Sequence, residues 1–298
     1  MCKTSHLVVT SGIIFLARSQ TKTQMKKIVT LVIAIALTTK VFALNPSKEY
    51  KVLPSEYGMD YKEVMIPATD DVKLAAWIFK PAGESKKFII ISDDGNGNMD
   101  DNIELVAQFL SIGYNVITYD YRGFGKSDSF AINKNFYIYP QFTKDIIGVI
   151  DYTRKYYTTV MDMYGIGIGA GLSLSVGANR IEVKRIIADG TYSSFEETKA
   201  RYADRDNKDY LMPLVYDKMF MEPKYALVTK GTQLYGILYI VGEKDLIFGP
   251  EDAKAMVKIH PKNAEIYVVP GVESDENFST NKNVYFDHIK KFIEAHGA

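Results

Sequence analysis

From residue 61 onward, short apolar runs alternate with stretches whose apolar residues recur at helical spacing, and this alternation constrains the fold most. Runs at 61–66 and 72–79 read as two strands joined by the polar turn Thr69-Asp70-Asp71. The run 88–92 is apolar up to Ser92, as expected for a strand buried on both faces. Helical spacing follows over 102–112, with Ile103, Val106, Ala107 and Leu110 on one face. Further strands are expected at 115–119, 160–164, 183–188, 235–241 and 265–269. Helices are expected at 141–156, after the glycine-rich turn at 165–169, at 251–259 and at 284–295. Such an order requires a mostly parallel sheet with helices on both faces, edged by the antiparallel opening hairpin. Eight strands are expected. After the sixth, residues 192–233, rich in Tyr and Met, would form a lid over the carboxyl ends of the strands.

The 298-residue chain is long enough to bury the core of one such domain, expected over 44–298. Charge separates this part from the rest. Residues 1–43 hold six Lys or Arg and no acid, leaving 30 basic and 36 acidic residues, a net of −6, in the remainder. That balance disfavours a phosphate backbone, so nucleic acid is not an expected partner. Met25-Lys26-Lys27, the apolar run 28–37 and the small residues of Val41-Phe42-Ala43 form a signal peptide, with Met25 a candidate start and cleavage expected after Ala43. The apolar run is about half of the roughly 20 residues a spanning helix needs, so no stable membrane span is expected after cleavage. The chain is therefore expected to be exported, to a periplasm or the extracellular space. Its single cysteine, Cys2, precedes the cleavage point, so no disulfide is expected in the mature chain.

Five loops carry chemistry-bearing residues, in order: Ser92-Asp93-Asp94-Gly95-Asn96-Gly97, Asp120-Tyr121-Arg122-Gly123-Phe124-Gly125-Lys126-Ser127, Tyr164-Gly165-Ile166-Gly167-Ile168-Gly169, Val241-Gly242-Glu243-Lys244-Asp245 and Pro270-Gly271-Val272-Glu273-Ser274. Each alone is a weak signal. Together, over about residues 60–295, the chain resembles the serine-aminopeptidase-like branch of the α/β-hydrolase superfamily. The resemblance implies an α/β-hydrolase fold and assigns the loops, in that order, to the oxyanion loop, the turn after the fourth strand, the nucleophile elbow, the acid loop and the histidine loop.

The departures from that pattern matter most. A nucleophile elbow holds a serine oxygen on a tight strand-to-helix turn, yet the resemblance places Gly167 there. Acyl transfer needs an oxygen or sulfur nucleophile with an adjacent base. The histidine position holds Ser274, or Glu273 if the loop slips by one, and neither shuttles protons near neutral pH as imidazole does. Asp94 stands where the family has histidine in the oxyanion loop; Gly95 and Ile168 complete that loop's expected set. A carboxylate at 94 would oppose a developing oxyanion unless turned away. Asp245 alone retains its type. A pseudoenzyme is expected, binding a small molecule, peptide or protein partner in the former cleft, with Asp93, Glu273 and Tyr192 as candidate contacts. No cofactor or metal is expected.

Other readings compete for the same residues. A displaced nucleophile among Ser173, Ser175, Ser193 and Ser194 would restore an esterase or peptidase, although capping and packing explain serines at those places. His260, His288 and His296 read as surface residues. Asp245 reads equally well as a helix or turn cap. Gly165-x-Gly167-x-x-Ala170 with Asp189 fits a dinucleotide fingerprint, but it comes after three parallel strands. Asp93, Asp94, Asp245, Glu273, Asp275 and Glu276 would bind a hard cation if clustered, or form a solvated acidic rim. The insertion's Tyr202, Tyr210, Met212, Tyr216 and Phe220, with Phe136 and Tyr137, either line an apolar pocket or pack the insertion onto the body. Arg122 reads as an anchor of its turn.

Overall fold

The computed structural model describes residues 43–260 and 262–297. The expected signal segment up to residue 42 lies outside the described residues.

Eight strands form one sheet: β1 (Tyr61–Pro67), β2 (Lys73–Phe79), β3 (Phe88–Ser92), β4 (Asn115–Tyr119), β5 (Met161–Ile166), β6 (Val183–Asp189), β7 (Gly236–Gly242) and β8 (Ala264–Val269). Their order is β8-β7-β6-β5-β3-β4-β2-β1. From β4 to β8 all neighbours are parallel, whereas β2 is antiparallel to both β4 and β1. Bounds differ from the sequence reading by one or two residues. The fifth strand, for example, runs on to Ile166, because Gly165 and Ile166 still pair with Ala188 and Asp189.

Alternation along the strands divides the core between the two faces. Ile90, Ile117, Met163, Ile186, Ile237, Tyr239 and Val241 bury one face against α2 (Gln141–Tyr156), α3 (Ile168–Ala178) and the insertion. Ile89, Ile91, Val116, Tyr164, Ile187, Leu238 and Ile240 bury the other against α1 (Ile103–Ser111) and a final helix, Lys282–Ala295. Helix α3 is buried at every residue, which explains why its sequence is apolar or small all round rather than striped.

The insertion contains α4 (Phe195–Asp206), α5 (Lys218–Met221) and α6 (Pro223–Thr229). Its loop strand-pairs with the 130s loop: the Tyr137 N–H donates to the Leu211 carbonyl at 3.0 Å and the Leu211 N–H to the Asn135 carbonyl at 2.9 Å. The Tyr137 ring lies 5.5 Å from Tyr192 and 5.8 Å from Tyr202, so these aromatics pack against one another. Among the described residues no helix is long and apolar enough to cross a membrane.

Candidate functional site

The turn between β5 and α3 places Gly167 at φ 54°, ψ −117°, a conformation in which a β-carbon is strained. Its N–H donates to the Asp189 carbonyl at 2.9 Å, fixing the bend against the end of β6. A β-carbon added at Gly167 would lie 3.1 Å from Asp94 Cβ, so the elbow faces the loop after β3. Helix α3 starts so close to that loop that a β-carbon at Gly169 would meet the Ser92 carbonyl oxygen at 2.3 Å. The sequence thus brings Gly167, Asp94, Gly95 and Ile168 together.

The loop's carboxylates turn inward onto its own backbone. Asp93 Oδ1 accepts the Gly95 N–H at 3.0 Å, and Asp94 Oδ1 accepts the Asn96 N–H at 2.7 Å. Asp93 Oδ2 also accepts from Asn102 Nδ2 at 2.7 Å. Two N–H groups of this loop are therefore already paired with its own side chains. Burial, and then the charge of Asp94, push the Asp93 carboxyl well above the usual carboxylate range.

Asp245 caps its own loop: Oδ1 accepts the N–H groups of Ile247 at 2.7 Å and Phe248 at 3.1 Å. Ser274 Oγ accepts the Gly242 N–H at 3.1 Å, and a β-carbon on Gly190 would meet Ser274 Cβ at 2.8 Å. Glu273 turns away to Arg205 in α4, at 3.1 Å. Tyr192 is fully buried and donates to the Met221 carbonyl at 2.6 Å, which ties the insertion down.

The remaining candidates have structural partners, except Ser173, whose buried hydroxyl has no hydrogen-bond partner among the described residues. His260 Nε2 lies 2.8 Å from the Leu227 carbonyl, His296 bonds Glu265 at 2.7 Å, and His288 stacks on Tyr267. Ser175 donates to the Gly171 carbonyl, Ser193 bonds Glu197, Ser194 caps α4, and Ser173 is wholly buried. Asp245 and Glu273 are taken up separately, and among the described residues no group of three or more His, Cys, Asp or Glu could hold a metal ion.

Asp189 belongs to a cluster that the sequence reading missed. Its Oδ2 accepts from Tyr285 Oη at 2.6 Å and Tyr164 Oη at 3.2 Å, and its Oδ1 from Asn277 Nδ2 at 2.6 Å. Both oxygens are engaged, so a ribose hydroxyl, as the dinucleotide reading requires, would have to compete with these three donors. Burial raises its pKa to about 6, against the pull of these three donors. The sequence held only a faint signal: an Asp closing an apolar strand.

A cavity of about 620 Å³ opens beside the elbow, on the sheet face away from the insertion. Asp93, Asp94, Tyr164, Asp189, Ser274 and Phe278 are among the residues that line it. No residue of 192–233 does, so this space is not the cleft expected beneath a lid.

This architecture recurs in solved structures. The Pyrococcus furiosus esterase Pf2001 superposes with a TM-score of 0.67 at 19% identity, over 86% of this chain and 98% of that one. A carboxyl esterase from Bacillus coagulans gives 0.60 at 14% identity, over 80% and 99%. The chain has the α/β-hydrolase fold. No family model matches it. The α/β-hydrolase domain-containing protein WAV2 of Arabidopsis thaliana is 26% identical over 156 residues, half of this chain and 48% of that protein. The uncharacterised protein YfhR of Escherichia coli is 23% identical over 247 residues, 80% of this chain and 83% of its own.

Proposed function

We propose that this chain is an exported α/β-hydrolase-fold protein that binds a ligand at the former active site without hydrolysing it. The observation that carries the reading is the elbow: Gly167 offers no attacking atom at the position that the fold reserves for one. The pairing of the Gly95 and Asn96 amides with Asp93 and Asp94 supports it, because an oxyanion approaching this loop would meet carboxyl groups already seated on those amides. Asp245 and Ser274 support it too, each held by backbone N–H groups rather than by an imidazole. Three losses at one site argue against repair by a single neighbouring residue.

A fluorophosphonate probe tests the proposal. The purified protein should remain unlabelled and should not turn over short acyl esters. Stoichiometric labelling of any serine, or turnover abolished by Asp245→Asn, would overturn it in favour of an esterase or peptidase with a displaced nucleophile. Export has its own test. Mass spectrometry of the mature protein from its native host should give Leu44 as the first residue, and a retained 25–43 segment would refute cleavage.

A further inference from the structure

Residues 44–47 run along the loop after β3, which faces the elbow. Leu44 is fully buried. A β-carbon on Gly95 would come within 2.8 Å of Leu44 Cδ2 and 2.7 Å of Ile168 Cδ1, so the Leu44 side chain sits against the oxyanion-loop residues. Asn45 and Pro46 pair in parallel with Asn96 and Gly97. The Asn45 N–H donates to the Gly95 carbonyl and the Ser47 N–H to the Gly97 carbonyl, both at 2.8 Å. On the other side the Gly125 N–H reaches the Ser47 carbonyl at 2.8 Å. Asn45, Pro46 and Ser47 also wall the 620 Å³ cavity.

We propose that the former acyl site is a slot for an extended peptide, and that residues 44–47 are its resident occupant. This rests on the reading of the site as binding rather than hydrolytic. The arrangement is that of strand addition: main-chain bonds supply affinity and a side-chain pocket supplies specificity. The pocket takes an aliphatic residue, as Leu44 shows. Asp93, Asp94, Asp101, Asp189 and Asp275 line the adjoining cavity, but burial pushes Asp93, Asp94 and Asp189 toward their neutral forms, and Asp101 pairs with Lys51 at 3.5 Å. A competing peptide therefore carries an aliphatic anchor at the start of an extended stretch, like the chain's own Leu44-Asn45-Pro46-Ser47. Cleavage after Ala43 would make the anchor a chain end, free to leave without breaking the backbone. Tethering gives the resident segment a high local concentration, so an outside peptide binds well only once that segment is loosened.

The test uses the mature chain from Leu44 and a fluorescent peptide Leu-Asn-Pro-Ser-Lys-Glu-Tyr, followed by anisotropy. Asn45→Pro removes the N–H that bonds the Gly95 carbonyl, and Leu44→Ala empties the pocket. Each variant should bind the peptide at least ten times more tightly than the parent. Replacing the peptide's leucine by alanine should weaken binding to both variants at least tenfold. Variants that melt like the parent yet bind no more tightly would overturn the proposal. So would variants that fail to fold cooperatively, because residues 44–47 would then be a determinant of the fold rather than an exchangeable occupant. Labelling by the fluorophosphonate probe would remove the non-hydrolytic reading and this one with it; absent peptide exchange alone leaves the former standing.

Discussion

At position 167 two physical constraints meet. The backbone conformation, φ 54° and ψ −117°, disfavours any side chain, and the space ahead of it is closed by Asp94. Gly167→Ser should therefore cost about 1–3 kcal/mol, the usual range for a residue held in a sparsely populated region. Urea denaturation measures that loss. The same variant should show no esterase activity, because no described histidine lies beside the elbow to act as base. Robust activity would mean that a base has been overlooked. Asp189 makes a second prediction at this scale. Folding raises its pKa from an ordinary 3.8 to about 6, so between those values the folded chain binds more protons than the unfolded one. Its contribution to stability must then fall as pH rises from about 4 to about 6, by on the order of 2–3 kcal/mol. Asp189→Asn keeps the shape without the titration and should flatten that slope in denaturation curves taken from pH 4 to 7. Parallel profiles for the two proteins would disprove the assignment.

The strand–turn–helix unit of β5 and α3 is built by close approach. Gly169 lies where any β-carbon would press on the Ser92 and Asp93 carbonyl oxygens, at 2.3 and 2.4 Å. Backbone cannot yield as a flexible side chain would. Gly169→Ala should accordingly destabilise the protein by about 3 kcal/mol or more, at or beyond the upper end of ordinary overpacking. A thermal transition within a degree of the parent would contradict this. The turn is tight although its apex residue, Gly167, carries no side chain. The reason is that the same glycines bring α3 onto the sheet, so the element serves packing whether or not chemistry takes place there.

Across the whole molecule, Arg122 joins three separate parts of the chain. From the turn after β4, its Nε donates to Asp145 of α2 at 2.8 Å and its Nη2 to Asp70 of the β1–β2 turn at 2.7 Å. The Asp145 side chain has no exposed surface, and Arg122 is nearly as buried. Arg122→Met would leave a buried carboxylate without its cation, at a cost of about 3–5 kcal/mol. A double variant with Asp145→Leu should recover part of that loss. Denaturation of the single and double variants would show it, and failure of any recovery would mean that Arg122 acts through Asp70 alone.

Much of this architecture was legible in the sequence, because each strand's apolar run and each helix's periodicity are local properties. Local patterns also placed Gly167 at a strand-to-helix bend and Asp245 in the loop after the seventh strand. What the local pattern could not carry was contact between residues far apart in the chain. Asp189 meets Tyr285, 96 positions away, only because the final helix returns to the end of β6. Asp93 and Glu273 look alike as loop acids, yet one turns into its own backbone and the other reaches Arg205. Leu44 carries no periodic signal, and its burial against Gly95 depends on residues 44–47 pairing with a loop some fifty residues on. Sequence determines which segments must hide apolar surface. Only the folded chain decides which polar groups find one another, since hydrogen bonds act over a few ångströms in space and take no account of distance along the backbone.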